Sequence, residues 1–180
     1  MITATNAYYS GPVAGGLTEL LAVLRRAGAT TLGAEEAPRV PIADAVADPT
    51  HLEMARTISV AGPAWTAVVT TAPMWSVSID WGAADVVPQA IAVLDELAAL
   101  GALDFGTSHQ TAVTAPVSVD DYRALAVCRE AGGIYRREGP MGLGFRSIVG
   151  KRLLELGASA LQGHADTELR SDGMLAIGGA

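Results

Sequence analysis

Three side chains have the types that move protons: Asp80, Asp104 and His109. General acid–base chemistry needs only one or two carboxylates or an imidazole in a dry site, and it imposes no sequence spacing. Asp80 follows Ser76 and Ser78 on the side of an alternating segment opposite its tryptophans. Asp104 lies between Leu103 and Phe105, and His109 closes the same expected strand pair. These are the candidate catalytic residues; the competing role for each is that of an ordinary exposed or capping group.

Other chemistries find less support. The histidines His51, His109 and His164 are scattered, with no pair at i+3 or i+4, so no metal site is expected. Gly139-Pro140-Met141-Gly142-Leu143-Gly144-Phe145 contains a Gly-x-Gly before an expected helix, but it lacks both the third fingerprint glycine and a Lys-Ser or Lys-Thr ending. With Arg136, Arg137 and Arg146 around it, this corner is the candidate anion-binding site. Cys128, the single cysteine, sits in Leu125-Ala126-Val127-Cys128, where a thiol behaves as a small hydrophobe. Gly-x-Ser-x-Gly is absent, and Ser108-His109 as chain neighbours do not make a triad. No cofactor is called for.

Aromatic residues are only 5% of the chain, yet Trp65, Trp75 and Trp81 fall close together. Trp75 and Trp81 alternate with Val77 and Ile79, the pattern of a core strand. The functional alternative is that a tryptophan, with Tyr8 or Tyr9, is partly exposed and anchors a ligand or a partner.

Positioning these groups requires elements, and glycine stops mark them. Four apolar-periodic segments run into glycine at Gly28, Gly101, Gly132 and Gly157. Helices are expected over 15–27 and 85–100, from Ser118, and over 145–156, with a short one over 48–56 opened by Asp48-Pro49. Residues 34–50 read as a long Pro-containing loop relieved by a turn of helix at 42–46. Strands are expected over 57–61, 65–71 and 74–81, the last two as a hairpin, with further pairs at 102–106 with 111–117 and 167–170 with 174–178. Ser171-Asp172-Gly173 suits a type I′ turn in the last hairpin. Consecutive strands are mostly too close for crossover helices. The expected fold is therefore α+β: a mainly antiparallel sheet or partial barrel covered by about four helices, in a single globular domain over 1–180.

Composition bounds the function. Half the residues are hydrophobic and 17% charged, with a mean hydropathy of +0.32, which excludes a disordered chain. Alanine, at 33 residues, supplies over a third of that apolar half, so the core should be tight. A net charge of −7 argues against nucleic acid as a partner. The lack of a long apolar run argues against a membrane span, and a lone cysteine with no leader-like start at 1–11 points to the cytoplasm. In character, though in no alignable motif, the chain is similar to small acidic bacterial immunity or inhibitor proteins; no residue's role follows from that.

Three functions remain open. The first is a non-catalytic acidic binder, inhibitor or immunity-type, acting on a protein partner. The second is a small cofactor-independent enzyme, an isomerase, cyclase or lyase, holding a small apolar ligand over an aspartate in an apolar pocket. The third is a homo-oligomeric assembly protein, of which a homodimer is the simplest form.

Overall fold

The computed structural model describes residues 2–34, 38–52, 54–72, 74–82, 85–111, 144–156 and 166–178. In chain order the elements are β1 (Ile2–Tyr9), α1 (Gly16–Arg26), β2 (Thr31–Ala34), β3 (Val40–Pro41), α2 (Ile42–Ala47), a 3-10 turn (Thr50–Leu52), β4 (Thr57–Ala61), β5 (Thr66–Thr70) and β6 (Ser76–Asp80). They continue with α3 (Val87–Ala99), β7 (Leu103–Thr111), β8 (Arg146–Val149), α4 (Lys151–Leu156), β9 (Thr167–Leu169) and β10 (Leu175–Gly178). The ten strands among the described residues form one antiparallel sheet in the order β3-β2-β4-β5-β6-β1-β7-β8-β10-β9. The sheet is open rather than a closed barrel, with separate edges at β3 and β9, and the α+β expectation stands.

Connection handedness explains which face each helix covers. β1 and β2 run the same way, and α1 crosses between them toward one edge; β6 runs opposite to β1, and α3 crosses from it to β7 toward the other edge. The two reversals cancel, so right-handed crossovers put α1 and α3 on the same face. α4 leaves β8, which runs with β1, toward the β9 edge; a single reversal puts it on the opposite face. Packing agrees. Leu20, Leu24, Leu94 and Leu97 of α1 and α3 share a cluster with Leu32, Val69 and Ile79, whereas Leu153 of α4 packs with Tyr8, Phe105, Val149, Leu175 and Ile177.

Several expected boundaries move. The central strand β1 is not among the elements expected from sequence, although Ile2, Thr3, Thr5, Tyr8 and Tyr9 are all strand formers. Residues 102–106 do not turn back on 111–117; β7 runs unbroken over Leu103–Thr111, and 112–117 lie outside the described residues. Gly106 continues this strand because α3 comes down on it: a Cβ there would lie 2.6 Å from Leu94 Cδ1. The helix expected over 145–156 is divided into β8 and α4. Its first half carries Ile148 and Val149 into ladders with β7 and β10, and Gly150 makes the break by donating its amide to the Asp104 carbonyl at 2.7 Å.

Two smaller corrections follow from turn chemistry. Asp48 does not open a helix through residue 56; its Oδ1 accepts both the Thr50 amide (3.1 Å) and hydroxyl (2.6 Å) and holds only the 3-10 turn. The β9–β10 turn is not type I′, which needs positive φ at two residues, because only Gly173 has it (79°). Arg170 and Met174 close a three-residue loop instead, with Asp172 Oδ1 accepting the Met174 amide at 3.0 Å.

Candidate functional site

Alternation along β6 sends Val77 and Ile79 into the α1/α3 core and Ser76, Ser78 and Asp80 to the opposite face. The register extends this face across five strands. One row reads Thr66, Asp80, Ala4, His109; the next reads Val68, Ser78, Asn6, Thr107, Ser147; the third reads Thr70, Ser76, Tyr8, Phe105, Val149. The third row is apolar from Tyr8 onward and is covered in part by α4. The first two rows are dominated by hydroxyls and titratable groups.

The first row brings together two of the three candidate catalytic residues. Asp80 and His109 flank Ala4, two strand spacings or about 10 Å apart along the backbone. Alanine leaves the ground between them low. Asp80, half-buried, accepts the Gly82 amide through Oδ1 at 2.9 Å and lines an open cleft of about 350 Å³ with Thr66, Gly82 and the turn 62–65. His109 is also half-buried; its Nδ1 is shielded from water and has no hydrogen-bond partner. Burial lowers the imidazole's pKa, which keeps it neutral and able to accept a proton.

Asn6, which the sequence reading missed, completes the site. It is 1% exposed on the central strand, and its Oδ1 accepts the Ser78 hydroxyl at 2.7 Å. That bond turns the amide nitrogen away from β6, and Nδ2 is buried without a partner. The available signal was composition: Asn6 is the chain's single asparagine, and it stands in a run of strand formers.

Beneath this face, buried polar groups fix the three strands. Trp81 Nε1 donates to Thr5 Oγ1 (2.9 Å), Thr5 and Ser108 hydroxyls meet at 2.8 Å, and Ser108 Oγ donates to the Ala90 carbonyl (3.2 Å). Ser108 spends its one proton on Ala90, so Thr5 must donate to Ser108 and accept from Trp81. This directed chain crosses β6, β1 and β7 and ends on α3.

Asp104 does not join the other two acid–base candidates. It lies five residues from His109 on the same strand, at the irregularity where the β1–β7 register shifts. It is 1% exposed, and the Arg152 guanidinium engages both its oxygens, with Nε to Oδ1 at 2.8 Å and Nη2 to Oδ2. The pair lines an open cleft of about 410 Å³ with Lys151 and Met174. A carboxylate held by a guanidinium fork fastens α4 to β7.

Arg146 is likewise committed. It donates to the Gly178 carbonyl (2.7 Å) and to Asp95 of α3 (3.0 Å), which also receives Arg170 (2.8 Å), so it ties the helix to the sheet. Arg136, Arg137 and Cys128 lie outside the described residues. The aromatic candidates are mostly core: Tyr8, Tyr9, Trp65 and Trp81 are buried and Trp75 half-buried. The Trp65 and Trp81 rings pack 5.5 Å apart, and Trp65 Nε1 donates to the Ala27 carbonyl at 3.3 Å. Tyr9 donates to the Leu97 carbonyl (3.1 Å), and burial pushes its phenol well above the usual range.

Comparison with known protein families, curated proteins and solved structures finds no match. Chemistry has to come from the site. Among the described residues no three His, Cys, Asp or Glu side chains gather closely enough to hold a metal ion, and no helix is long and apolar enough to cross a membrane.

Proposed function

We propose that the chain is a small enzyme that moves protons on a small-molecule substrate bound over Ala4, with His109 as the accepting base and Asp80 on the substrate's other side. One observation carries this: Asp80 and His109 share one row of one sheet face with only Ala4 between them. The reaction class is isomerase, cyclase or lyase, in which a proton leaves one substrate atom and another is supplied elsewhere. The surroundings are hydroxyl-lined, so the substrate is more polar than the apolar ligand expected from sequence.

Two observations weigh against the protein-binding alternative. Exposed acids among the described residues are spread over α1 (Glu19), α2 and the turn after it (Asp44, Asp48), the lead into α3 (Asp85), α4 (Glu155) and the β9 hairpin (Asp166, Glu168), so they build no single acidic face. Of the aromatic anchors, Tyr8, Tyr9, Trp65 and Trp81 are buried and Trp75 is half-buried.

The test screens metabolite-sized compounds for those that raise the melting temperature of the wild type but not of Ala4→Phe, which fills the floor. Turnover of those compounds is then followed by NMR. His109→Gln should lower turnover by roughly 10²- to 10⁴-fold, with a smaller loss for Asp80→Asn. Compounds that stabilise Ala4→Phe equally, or turnover that survives His109→Gln, would overturn the proposal.

A further inference from the structure

The chain carries eleven arginines and a single lysine, Lys151, and that lysine stands at a cleft. It is the first residue of α4 and lines the open cleft of about 410 Å³ shared with Asp104 and Arg152. Its stem lies against the loop between β9 and β10. Gly173 of that loop comes so close that a Cβ on it would lie 2.6 Å from Lys151 Cε, so the lysine runs along bare backbone. Lys151 itself is exposed, so a solute reaches it.

The charges around the cleft leave one cation over. Asp104 is held by Arg152. Asp172, the cleft's other acid, accepts Arg170 Nε (3.0 Å) and the Met174 amide (3.0 Å). Lys151 forms no ion pair among the described residues, neither with Asp172 in the same cleft nor with Glu155 one turn further along α4. With both carboxylates engaged and an ammonium left, the complementary ligand carries one negative charge.

The rest of the wall decides what is attached to that charge. Ala98 and Ala99 at the end of α3, Leu103 of β7 and Met174 just before β10 make it apolar. Ala102 adds a methyl group from left-handed backbone (φ 55°), a conformation unfavourable for alanine. Ser10 fastens it there, its amide and hydroxyl both donating to the Ala102 carbonyl at 2.9 and 3.2 Å.

We propose that this cleft binds a small organic carboxylate with an apolar body, the carboxylate accepting from the Lys151 ammonium and the apolar part lying on Ala99, Leu103 and Met174. The volume is that of a small-molecule pocket. A single uncompensated cation matches a carboxylate better than a phosphate, whose second charge would go unmatched beside Asp104 and Asp172. Asp104 lies five residues, about 17 Å, from His109 along β7, so this site and the acid–base row are tested independently.

The sole lysine is a single-residue reporter. The full chain, isotope-labelled at lysine and methionine, is titrated by NMR with hexanoate, and in parallel with hexanol, hexylamine and inorganic phosphate. Hexanoate should shift the Lys151 ε-methylene and Met174 methyl signals saturably. Hexanol and phosphate, each carrying only one half of the ligand, should bind about tenfold more weakly or worse, and hexylamine should not bind. Lys151→Gln, at an exposed position where folding does not depend on the side chain, should weaken hexanoate about tenfold, read on Met174, through loss of one charge-assisted hydrogen bond.

Absence of a saturable Lys151 shift with hexanoate overturns the proposal. So does phosphate or hexanol binding as tightly as hexanoate, which would make the cleft a bare charge or a bare apolar surface. Full hexanoate affinity in Lys151→Gln overturns it as well.

Discussion

Substituting Thr5 by valine keeps the side chain's shape and removes the middle of the chain Trp81–Thr5–Ser108–Ala90. Two hydrogen bonds disappear, each worth a net of about 1 kcal/mol, and the Trp81 indole N–H is left buried with no acceptor, at about 1–3 kcal/mol more. The added methyl returns roughly 0.8 kcal/mol of burial. The expected net loss is about 2–4 kcal/mol, a large part of the stability of any small protein. Ser108→Ala should cost less, about 1–2 kcal/mol, because Trp81 keeps its acceptor. The double variant should cost less than the sum of the two by about 1 kcal/mol, since both singles break the shared Thr5–Ser108 bond. Urea unfolding followed by far-UV circular dichroism measures all three without depending on tryptophan emission, which the substitution itself alters. A Thr5→Val protein within about 0.5 kcal/mol of wild type, or strict additivity, would refute the directed chain. The site should feel this change as well, because Thr5 lies between Ala4 and Asn6 and pins to β6 and β7 the strand that carries both.

Two further outcomes follow. His109 titrates below its ordinary 6.5 because of burial, and Asp80 across Ala4 is the charged group facing it on its row. Above pH 6.5 both folded and unfolded states carry it neutral; as pH falls the unfolded chain binds the proton first, so stability is lost until the folded value is passed. His109→Gln should therefore lose less stability than wild type between about pH 8 and about pH 5, and identical pH profiles would count against the burial. Gly150→Ala drives a Cβ into the Leu103 carbonyl, which is backbone and cannot swing aside, so melting should fall steeply and the β7–α4 junction should loosen; an unchanged melting temperature would show that the two segments do not approach so closely.

Much of the fold was legible where the pattern was local. The glycine stops placed α1 and α3 within a residue or two, because an amphipathic stripe ending in a left-handed glycine is a property of the segment itself. Strict alternation in 74–81 assigned Ser76, Ser78 and Asp80 to one face before any partner strand was known. The segments that misled were those whose state depends on partners. Residues 146–149 become a strand because β7 and β10 lie on either side to take their hydrogen bonds, and β7 passes through Gly106 because Leu94 occupies the space a side chain would need.

The sequence by itself determined an antiparallel α+β chain, a tight alanine-rich core, a tryptophan-bearing hairpin with a polar reverse face, and the residue types able to carry protons. Alternation, capping and composition act within a few residues, so they are readable in one dimension. Only the tertiary structure decided that Asp80 and His109 flank Ala4 on one sheet face while Asp104 is taken by Arg152, and that Arg146 is spent on Asp95. It also put Asn6 on the middle strand beside His109, with two buried polar atoms left unpaired. Which side chains become neighbours is set by strand order and register, and those are fixed by burying one sheet face against two helices, a sum over the whole chain that no short window contains.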